Sequence, residues 1–343
     1  MLIGAIIIPR TDEIVMNELG LIVEKFRPRG IFGEDILIID PVDITETIVR
    51  LFMFSRTIFR VYLILDKFDI ATKSDLYERS KAIDWASIFD VDMSFAIAPE
   101  SDTLSRYDVG KLVGQGVVDR FKEEVGKRPK VDLKNPEVSI IAKIVGKECL
   151  LGVDITGFDL NDINEIVSRL IILASGLSRD DRLGEIFHNG ICESAYEYIN
   201  NVPLKDRIVD TTYVNLKVVE QNRVIELLSR NWEDKRDGVA CYEMPNKAIK
   251  FRYPIQRKDI DFFVGDNIDI VCSNLVSTAP SKSGQDELIK RIILLMEKNS
   301  FWNNAAILCR KELIHRLQKF KCREIITINI RGITSSIIRI ERE

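Results

Sequence analysis

Histidine and paired cysteines are scarce in this chain of 343 residues. It has only two histidines, His188 and His315, and its six cysteines are scattered without a C-x-x-C pair. Zinc sites need clustered Cys and His ligands, so we expect no bound metal. Several cysteines fall in apolar, strand-like runs, which predicts buried and reduced thiols.

Long apolar segments are also missing. The N-terminal apolar run, residues 2–8, stops at Pro9-Arg10, and no apolar span of about 20 residues follows it. The run is too short for the apolar part of a signal sequence with its cleavage site. We therefore expect a cytoplasmic protein without a membrane segment.

Positive charge is in slight deficit overall, but it is concentrated in one region. The chain has 49 Lys and Arg against 53 Asp and Glu, a net charge of −4, which argues against a wholly basic nucleic-acid binder. Between Ser105 and Lys147, however, ten Lys and Arg stand against six Asp and Glu. A local basic excess fits a phosphate-binding face. The length itself predicts two or three domains.

The stretch from Ser101 to Gly157 has the pattern of one supersecondary unit. Apolar residues at helical spacing predict a helix that ends at Gly126. Gly114 and Gly116 lie inside this helix, where glycine is unfavourable, so we expect another element to approach it closely. Two strand-like runs follow, residues 138–145 and 149–155, joined by a tight turn.

This order of features resembles the THUMP domain. The residues that carry the resemblance are Gly126, Arg128, Pro129, Val131 and Asp132 in the basic turn, and Asp154, Thr156 and Gly157 after the hairpin. The resemblance implies an RNA-binding module, for tRNA or for rRNA. The residues that we expect to contact RNA are Lys111, Lys127, Arg128, Lys130 and Lys134.

Residues 1–66 alternate strand, helix, strand, helix and strand, which predicts a small ferredoxin-like α+β domain. The first helix is expected to end at Arg29-Gly30, and the second strand to cover residues 31–39. The run with Arg56 and Arg60 resembles a strand found ahead of THUMP domains in RNA methyltransferases. RNA contact and a solvated strand face remain alternatives for these two arginines. Residues 67–157 would then form the THUMP domain.

Residues 158–343 alternate strands and helices, which predicts a doubly wound, mostly parallel sheet. The last two strands are joined only by Arg331-Gly332 and so must pair antiparallel. This pattern resembles the Rossmann-like fold of methyltransferases that use S-adenosylmethionine (SAM). The predicted fold class is thus α/β and α+β: a ferredoxin-like domain, a THUMP domain and a methyltransferase-fold domain. That order resembles the THUMP-bearing guanine-N2 methyltransferases of tRNA and rRNA.

The resemblance implies a cofactor site at the carboxyl ends of the strands. Its glycine-rich loop maps to residues 185–192, where Glu185 and Gly190 are retained. Ile191 stands where the family has a second glycine, so the cofactor pocket is expected to be partly filled. His188 in this loop is a candidate catalytic base, but a structural or solvated role is the simpler interpretation.

The acid that would bind the ribose hydroxyls of SAM maps to Asp210, followed by Asn222 as in the family pattern. Asp210 could equally serve as the N-cap of the helix predicted to begin near Tyr213. The family's catalytic N-P-P-Y/F loop maps to residues 274–277. Asn274 is kept there as the catalytic candidate, but both prolines and the aromatic residue are replaced.

Two hypotheses follow. The one that we favour is an RNA-binding or partner-supporting protein whose methyltransferase-like domain is non-catalytic or weakly active, with weak or absent SAM binding. The alternative is an active SAM-dependent guanine-N2 methyltransferase of tRNA or rRNA with a divergent site. A Rossmann dehydrogenase and a sulfur-transfer THUMP enzyme are disfavoured, because the chain has neither a G-x-G-x-x-G loop nor a phosphate loop.

Overall fold

A computed structural model of the chain describes residues 1–178, 181–186, 190–200, 216–229, 240–243, 270–298, 302–330 and 332–342. The chain divides into two compact units. The first consists of Met1–Ile7, Leu19–Leu160 and Leu204–Arg230. The second consists of Ile8–Glu18, Asn161–Pro203 and Asn231–Glu343.

Fourteen strands are assigned among the described residues. They are β1 (Leu2–Ile6), β2 (Phe26–Phe32), β3 (Ile36–Pro41), β4 (Arg60–Asp69), β5 (Ser94–Ser101), β6 (Lys130–Val131), β7 (Val138–Val145), β8 (Glu148–Asp154), β9 (Arg182–Ile186), β10 (Ala240–Glu243), β11 (Ile270–Asn274), β12 (Asn304–Arg310), β13 (Lys321–Ile330) and β14 (Ile333–Glu341).

The α-helices of the described residues are α1 (Asp12–Ile22), α2 (Ile44–Phe54), α3 (Lys73–Ala82), α4 (Arg106–Val125), α5 (Ile163–Ser175), α6 (Ile191–Asn200), α7 (Gln221–Ser229), α8 (Leu275–Thr278) and α9 (Lys282–Lys298). Short 3-10 helices cover Trp85–Ser87 and Lys311–Leu317.

One sheet of eight strands, in the order β2-β3-β1-β4-β8-β7-β5-β6, carries the first unit. Its first four strands pair antiparallel in the order expected of a ferredoxin-like fold, which confirms that prediction. The predicted single strand over residues 31–39 is wrong, because β2 and β3 form a hairpin there. The first helix ends at Ile22, and Arg29-Gly30 lies inside β2. Gly30 has a φ of +104° at a bulge, and Pro28 is tolerated because β2 is an edge strand.

The antiparallel pairing of β4 with β8 joins the ferredoxin-like strands to the rest of the sheet. Its register shifts between Ile64 and Asp66, and the chains approach closely at Gly152. A Cβ atom at Gly152 would lie 2.6 Å from the Leu63 carbonyl oxygen, closer than real Cβ atoms come. Glycine is therefore required at this position of the seam.

The sheet curls so that the β2–β3 hairpin reaches β7. The Lys143 ammonium on β7 lies 2.7 Å from the Asp35 carboxylate in the hairpin and 3.1 Å from Glu100 on β5. A Cβ atom at Gly33, in the hairpin turn, would lie 3.2 Å from Val145. The curled sheet encloses an apolar cluster on one of its faces. The cluster consists of Phe32, Ile36, Ile38, Tyr62, Ile64, Ile141 and Leu150.

Residues 216–229 also belong to the first unit, where they pack beside α2. The backbone N–H of Lys217 donates to the Ile88 carbonyl at 2.9 Å, and the Lys217 ammonium lies 2.6 Å from Asp90. The N–H of Glu220 donates to the Thr45 hydroxyl at 3.2 Å. The apolar side chains that this segment buries are Leu216, Val219, Val224 and Leu227.

The second unit is built on a six-stranded sheet in the order β10-β9-β11-β12-β14-β13. The first four strands are parallel, and β14 and β13 form an antiparallel hairpin. Gly332 in the hairpin turn has a φ of +81°. The prediction of a mostly parallel sheet that ends in an antiparallel hairpin is confirmed. The strand predicted at residues 207–209 lies outside the described residues.

A buried ion pair fixes α5 in the second unit. The Arg169 guanidinium lies 3.3 Å from the Glu18 carboxylate, and both side chains are almost fully buried. Arg169 also donates to the hydroxyl and the carbonyl oxygen of Ser194 in α6, at 3.3 and 3.2 Å. Its guanidinium stacks over the Tyr198 ring at 5.0 Å. One arginine therefore sets the position of α6 relative to α5.

Within the part of the chain that the structure describes, no helix has both the length and the apolar composition needed to cross a bilayer. The described residues also contain no cluster of three His, Cys, Asp or Glu side chains arranged to hold a metal ion. Four of the described cysteines are buried free thiols, as predicted: Cys149, Cys192, Cys272 and Cys309.

We expect Gly152→Ala to destabilise the protein by about 1–3 kcal/mol, because the added methyl group must displace the Leu63 backbone. Gly20→Ala is the matched control. Gly20 lies inside α1 with nothing within 4 Å of its added Cβ atom, so alanine should stabilise by about 0.5–1 kcal/mol there. Urea denaturation midpoints measure both changes. Equal midpoints for Gly152→Ala and the wild type would contradict the described seam.

Arg169→Met should lower the free energy of unfolding by about 3–5 kcal/mol, because the Glu18 carboxylate stays buried after its charge partner is removed. The double variant Arg169→Met/Glu18→Met should recover part of this loss. Lys290→Met is the control, because it breaks an exposed pair with Asp286 and should change stability little. A double variant as unstable as the sum of its single variants would show that the two side chains do not interact.

Candidate functional site

The residues Asp154 to Gly157 form a tight turn at the end of β8. The Oδ1 atom of Asp154 accepts hydrogen bonds from the N–H groups of Thr156 and Gly157, both at 3.0 Å, and from the Thr156 hydroxyl at 2.7 Å. Its Oδ2 atom accepts from the Arg60 guanidinium at 3.1 Å. Gly157 has a φ of +72°, a backbone conformation that favours glycine. This motif therefore shapes the exit from the sheet.

Arg56 and Arg60 serve the fold of the first unit. Arg56 is only 3% exposed, and its guanidinium donates to the carbonyl oxygens of Met53 and Ser55. Both alternatives considered for Arg56, RNA contact and a solvated face, are therefore wrong. Arg60 is partly exposed, but its guanidinium is held by Asp154 and by Asp159 at 2.6 Å. A strand pattern alone does not reveal such partners, which lie almost a hundred residues away in the sequence.

The glycines of α4 allow close packing on two sides, as expected. A Cβ atom at Gly116 would lie 2.8 Å from both the Ser80 hydroxyl and the Tyr77 carbonyl of α3. Gly110 and Gly114 face β5 instead, where added Cβ atoms would meet Pro99 and Ile97 at 3.7 and 3.5 Å. Because glycines leave this side of α4 without side chains, a groove of about 640 Å³ opens beside β5 and β6.

The groove has an apolar floor and a basic rim. Phe95, Ile97 and Pro99 of β5 line it, and Arg106, Lys111 and Arg128 supply positive charge. Cavities of this volume hold small ligands or single groups of larger ones. All five cations predicted for RNA contact lie on the exposed surface of the first unit, and two of them, Lys111 and Arg128, line the groove.

The predicted cations differ in their partners. Lys127 lies 3.8 Å from Asp92, and Lys130 lies 3.4 Å from Asp132. The side chains of Lys111, Arg128 and Lys134 make no ion pair with any described residue. These three cations are therefore the most available for an external phosphate.

Asp132 holds the basic turn in shape. Its carboxylate accepts the backbone N–H groups of Asn135 and Lys134, both at 3.1 Å. The hydrogen bond from Asn135 contributes most, and the one from Lys134 next, to holding the pKa of the Asp132 carboxyl below its usual range. The carboxyl therefore remains charged at neutral pH. The turn thus presents its cations from a fixed backbone.

Two exposed apolar side chains beside these cations were missed in the sequence analysis. Tyr107 on α4 is 74% exposed and Leu133 in the basic turn is 80% exposed, and both line the groove. Exposed aromatic and apolar groups next to cations are typical of surfaces that bind unpaired nucleotides. The available signal was an apolar residue in an otherwise polar turn.

At the carboxyl edge of the second sheet, Glu185 of β9 binds the first turn of α6. The side chain is fully buried, and its carboxylate accepts the N–H of Cys192 at 2.9 Å. Gly190 precedes α6 with a φ of +77°, which favours glycine. The Ile191 side chain is fully buried. The register of β9 with β11 brings the carboxyl end of β9 to the same edge as Asn274.

Asn274 ends β11 and caps the short helix α8. Its Oδ1 atom accepts the N–H of Ser277 at 3.1 Å, and its Nδ2 atom donates to the Ser277 hydroxyl at 3.0 Å. Its backbone carbonyl accepts the Thr278 hydroxyl at 2.8 Å. Asn274 is only 2% exposed. The segment that would be a catalytic loop is thus a capped helical turn.

Two of the predicted site residues, Asp210 and His188, lie outside the described residues. Asn222 lies in α7, which belongs to the first unit, whereas Glu185, Gly190 and Asn274 belong to the second. Among the described strands, β9 pairs with β11 on one side and with β10 on the other. The last residue of β10, Glu243, is the register partner of Glu185. Glu243 is therefore a further candidate for the ribose-binding acid. Its signal in the sequence is the apolar run Val239–Tyr242 that ends in a carboxylate.

Comparisons with known proteins give a matching domain model, related sequences and similar solved structures. The family model of the THUMP domain matches residues 71–154. A tRNA (guanine(6)-N2)-methyltransferase of Archaeoglobus fulgidus is 37% identical over 110 residues, which are 31% of this chain and 27% of that protein. The ribosomal RNA large subunit methyltransferase K/L of Pseudomonas entomophila is 30% identical over 119 residues, which are 34% of this chain and 16% of that protein. The chain thus spans about a quarter or less of these relatives.

The fold of the entire chain is similar to a solved structure. SMU.472, a provisionally assigned methyltransferase complexed with SAH, matches with a TM-score of 0.76 and 14% identity, over 100% of this chain and 98% of that one. At this identity the match shows a shared fold. The chain thus contains a THUMP domain, shares sequence over about a third of its length with RNA methyltransferases, and has the fold of a solved methyltransferase structure.

Proposed function

We propose that the chain binds structured RNA, tRNA or rRNA, through the groove and basic turn of its THUMP domain. We propose further that its methyltransferase-type unit transfers methyl groups weakly or not at all. The observation that carries the second part is the hydrogen bonding of Asn274 within its own helix cap.

Methyl transfer to an exocyclic amine needs a group that accepts the amine and a surface that grips the extruded base. In the Asn274 segment, the side-chain amide and the backbone carbonyl already bond to Ser277 and Thr278. Each such bond stabilises the closed form by about 0.5–1.5 kcal/mol, so presenting these groups to a base is unfavourable. Leu275 and Val276 are buried and leave no ring to stack on a base.

The cofactor loop supports the same proposal. The Glu185 carboxylate binds the Cys192 N–H in the first turn of α6, and Gly190 precedes that helix with a positive φ. SAM would supply an electrophilic methyl group, and this loop, with Asp210 or Glu243, would hold it. Ile191 replaces the second glycine, which removes one place where bare backbone could approach a ligand. These features favour weak or absent SAM binding.

The runner-up is an active guanine-N2 methyltransferase with a divergent site. It is favoured by the retained Glu185 and Gly190 at the carboxyl edge of β9, next to β11. It is also favoured by relatives whose names state that activity. Under this alternative, Asn274 would have to leave its cap when RNA binds.

We expect no detectable incorporation of labelled methyl groups into bulk tRNA or rRNA, and no saturable SAM binding by calorimetry. Asn274→Ala, Asp210→Ala and Glu243→Ala should leave both results unchanged. Methyl incorporation that Asn274→Ala abolishes would reject the non-catalytic proposal and establish the alternative. An active THUMP methyltransferase assayed in parallel shows that the substrate RNA is competent.

Charge reversal in the groove should weaken RNA binding. Lys111→Glu and Arg128→Glu should each lower the affinity for tRNA and reduce the slope of log affinity against log salt by about one unit, because each removes one phosphate contact. Lys290→Glu on α9 is the matched control and should change neither quantity. Fluorescence anisotropy at several salt concentrations measures both. Equal losses for Lys111→Glu and Lys290→Glu would rule out the groove as the RNA site.

A further inference from the structure

The basic groove of the THUMP domain contains an acid. Asp119 lines the groove together with Arg106, Lys111 and Arg128, and forms no ion pair with any described residue. A carboxylate in a phosphate-binding groove repels the RNA backbone, so it weakens the binding that the three cations provide. A group that opposes affinity at this position is expected to contribute to specificity instead.

Asp119 is also held in a fixed orientation. The Tyr77 hydroxyl on α3 donates to its Oδ2 atom at 3.2 Å. Burial of Tyr77, followed by this hydrogen bond, raises the pKa of the Tyr77 phenol, so the phenol keeps its proton and remains a donor. The Oδ1 atom has no hydrogen-bond partner among the described residues and is left as an oriented acceptor on the groove wall.

The rest of the groove fits a flat, partly apolar ligand with an adjacent negative charge. The floor is formed by side chains such as Ile97 and Pro99, and Tyr107 stands exposed on its edge. A base of an unpaired nucleotide matches this pattern, since its faces are apolar and its phosphate lies nearby. A carboxylate reads such a base through an exocyclic amine, as it does with the amine of cytosine.

We propose that Asp119 is a specificity-determining residue that accepts a hydrogen bond from the exocyclic amine of an unpaired base in this groove. The inference rests on the proposed RNA-binding function. It adds that the groove prefers bases with an exocyclic amine to bases with a carbonyl group at that position. Tyr77 acts as a positioning residue, because it fixes which oxygen of the carboxylate faces the base.

The test uses the full chain and two labelled oligonucleotides that differ only in the exocyclic amine. One is a short oligocytidylate, and the other carries the same pyrimidinone without its 4-amino group. We expect the wild type to bind the amine-bearing strand about five- to tenfold more tightly, the low end of what a side-chain contact to a base contributes. Oligouridylate, with a carbonyl at that position, should also bind more weakly.

The Asp119→Asn variant removes the negative charge and replaces one acceptor oxygen with an N–H donor. It therefore tests whether the carboxylate recognises the amine of the base. The amide oxygen can still accept the Tyr77 hydroxyl, which turns the amide N–H group toward the base. The preference for the amine-bearing strand should therefore disappear, and binding of oligouridylate should strengthen. Tyr77→Phe should reduce the preference without changing the charge. Glu148→Gln on β8, outside the groove lining, removes a charge that is paired with Lys67 and should leave the preference unchanged.

The outcomes distinguish this inference from the function beneath it. If the wild type binds neither oligonucleotides nor tRNA, the proposed RNA-binding function fails. If it binds RNA but does not distinguish the two strands, or if Asp119→Asn changes both affinities by the same factor, the specificity role is overturned and RNA binding stands. If the protein binds only duplex RNA, the proposal that the groove holds an unpaired base is overturned.

Discussion

The pairing of β4 with β8 is the contact on which the first unit depends. On one side of it lie the four antiparallel strands of the ferredoxin-like part, and on the other lie the THUMP strands. The pair needs a glycine at position 152, where the chains approach too closely for a side chain. It also needs the Asp154 carboxylate, which ties the exit of β8 to Arg60 at the start of β4. The ion pair between Asp154 and Arg60 at one end of this strand pair and the glycine in its middle together hold the eight strands in one sheet.

The curl of that sheet follows from the same seam. The register shift at Ile64 and Asp66 adds twist, because a bulge bends its strand. The bent sheet brings the β2–β3 hairpin to β7, where Lys143 bridges Asp35 and Glu100. Since helices such as α4 pack on one face, the curl allows the other face to enclose its own apolar cluster. The basic groove depends on this frame, because β5 forms its floor.

Local chemistry made much of the fold predictable from the sequence. Gly126 ends α4 with a φ of +74°, and a two-residue link forces the last two strands to pair antiparallel. The hairpin of β2 and β3 was not predictable, because β2 is an exposed edge strand with no apolar alternation. The site was harder still. The cap on Asn274, the exposed Tyr107 and the place of Glu243 beside Glu185 depend on partners that no spacing reveals.

The membership of α7 in the first unit has a consequence for the order in which the protein is made. Leu227 and Val224 are buried in that unit, yet they follow Asn161, where a long segment of the second unit begins, by more than sixty residues. A chain emerging from the ribosome presents Thr45 and Asp90 long before Glu220 and Lys217 arrive to bind them. Domains usually fold as units in the order of synthesis. Here the N-terminal unit cannot gain the packing of Val224 and Leu227 until residue 229 has left the tunnel.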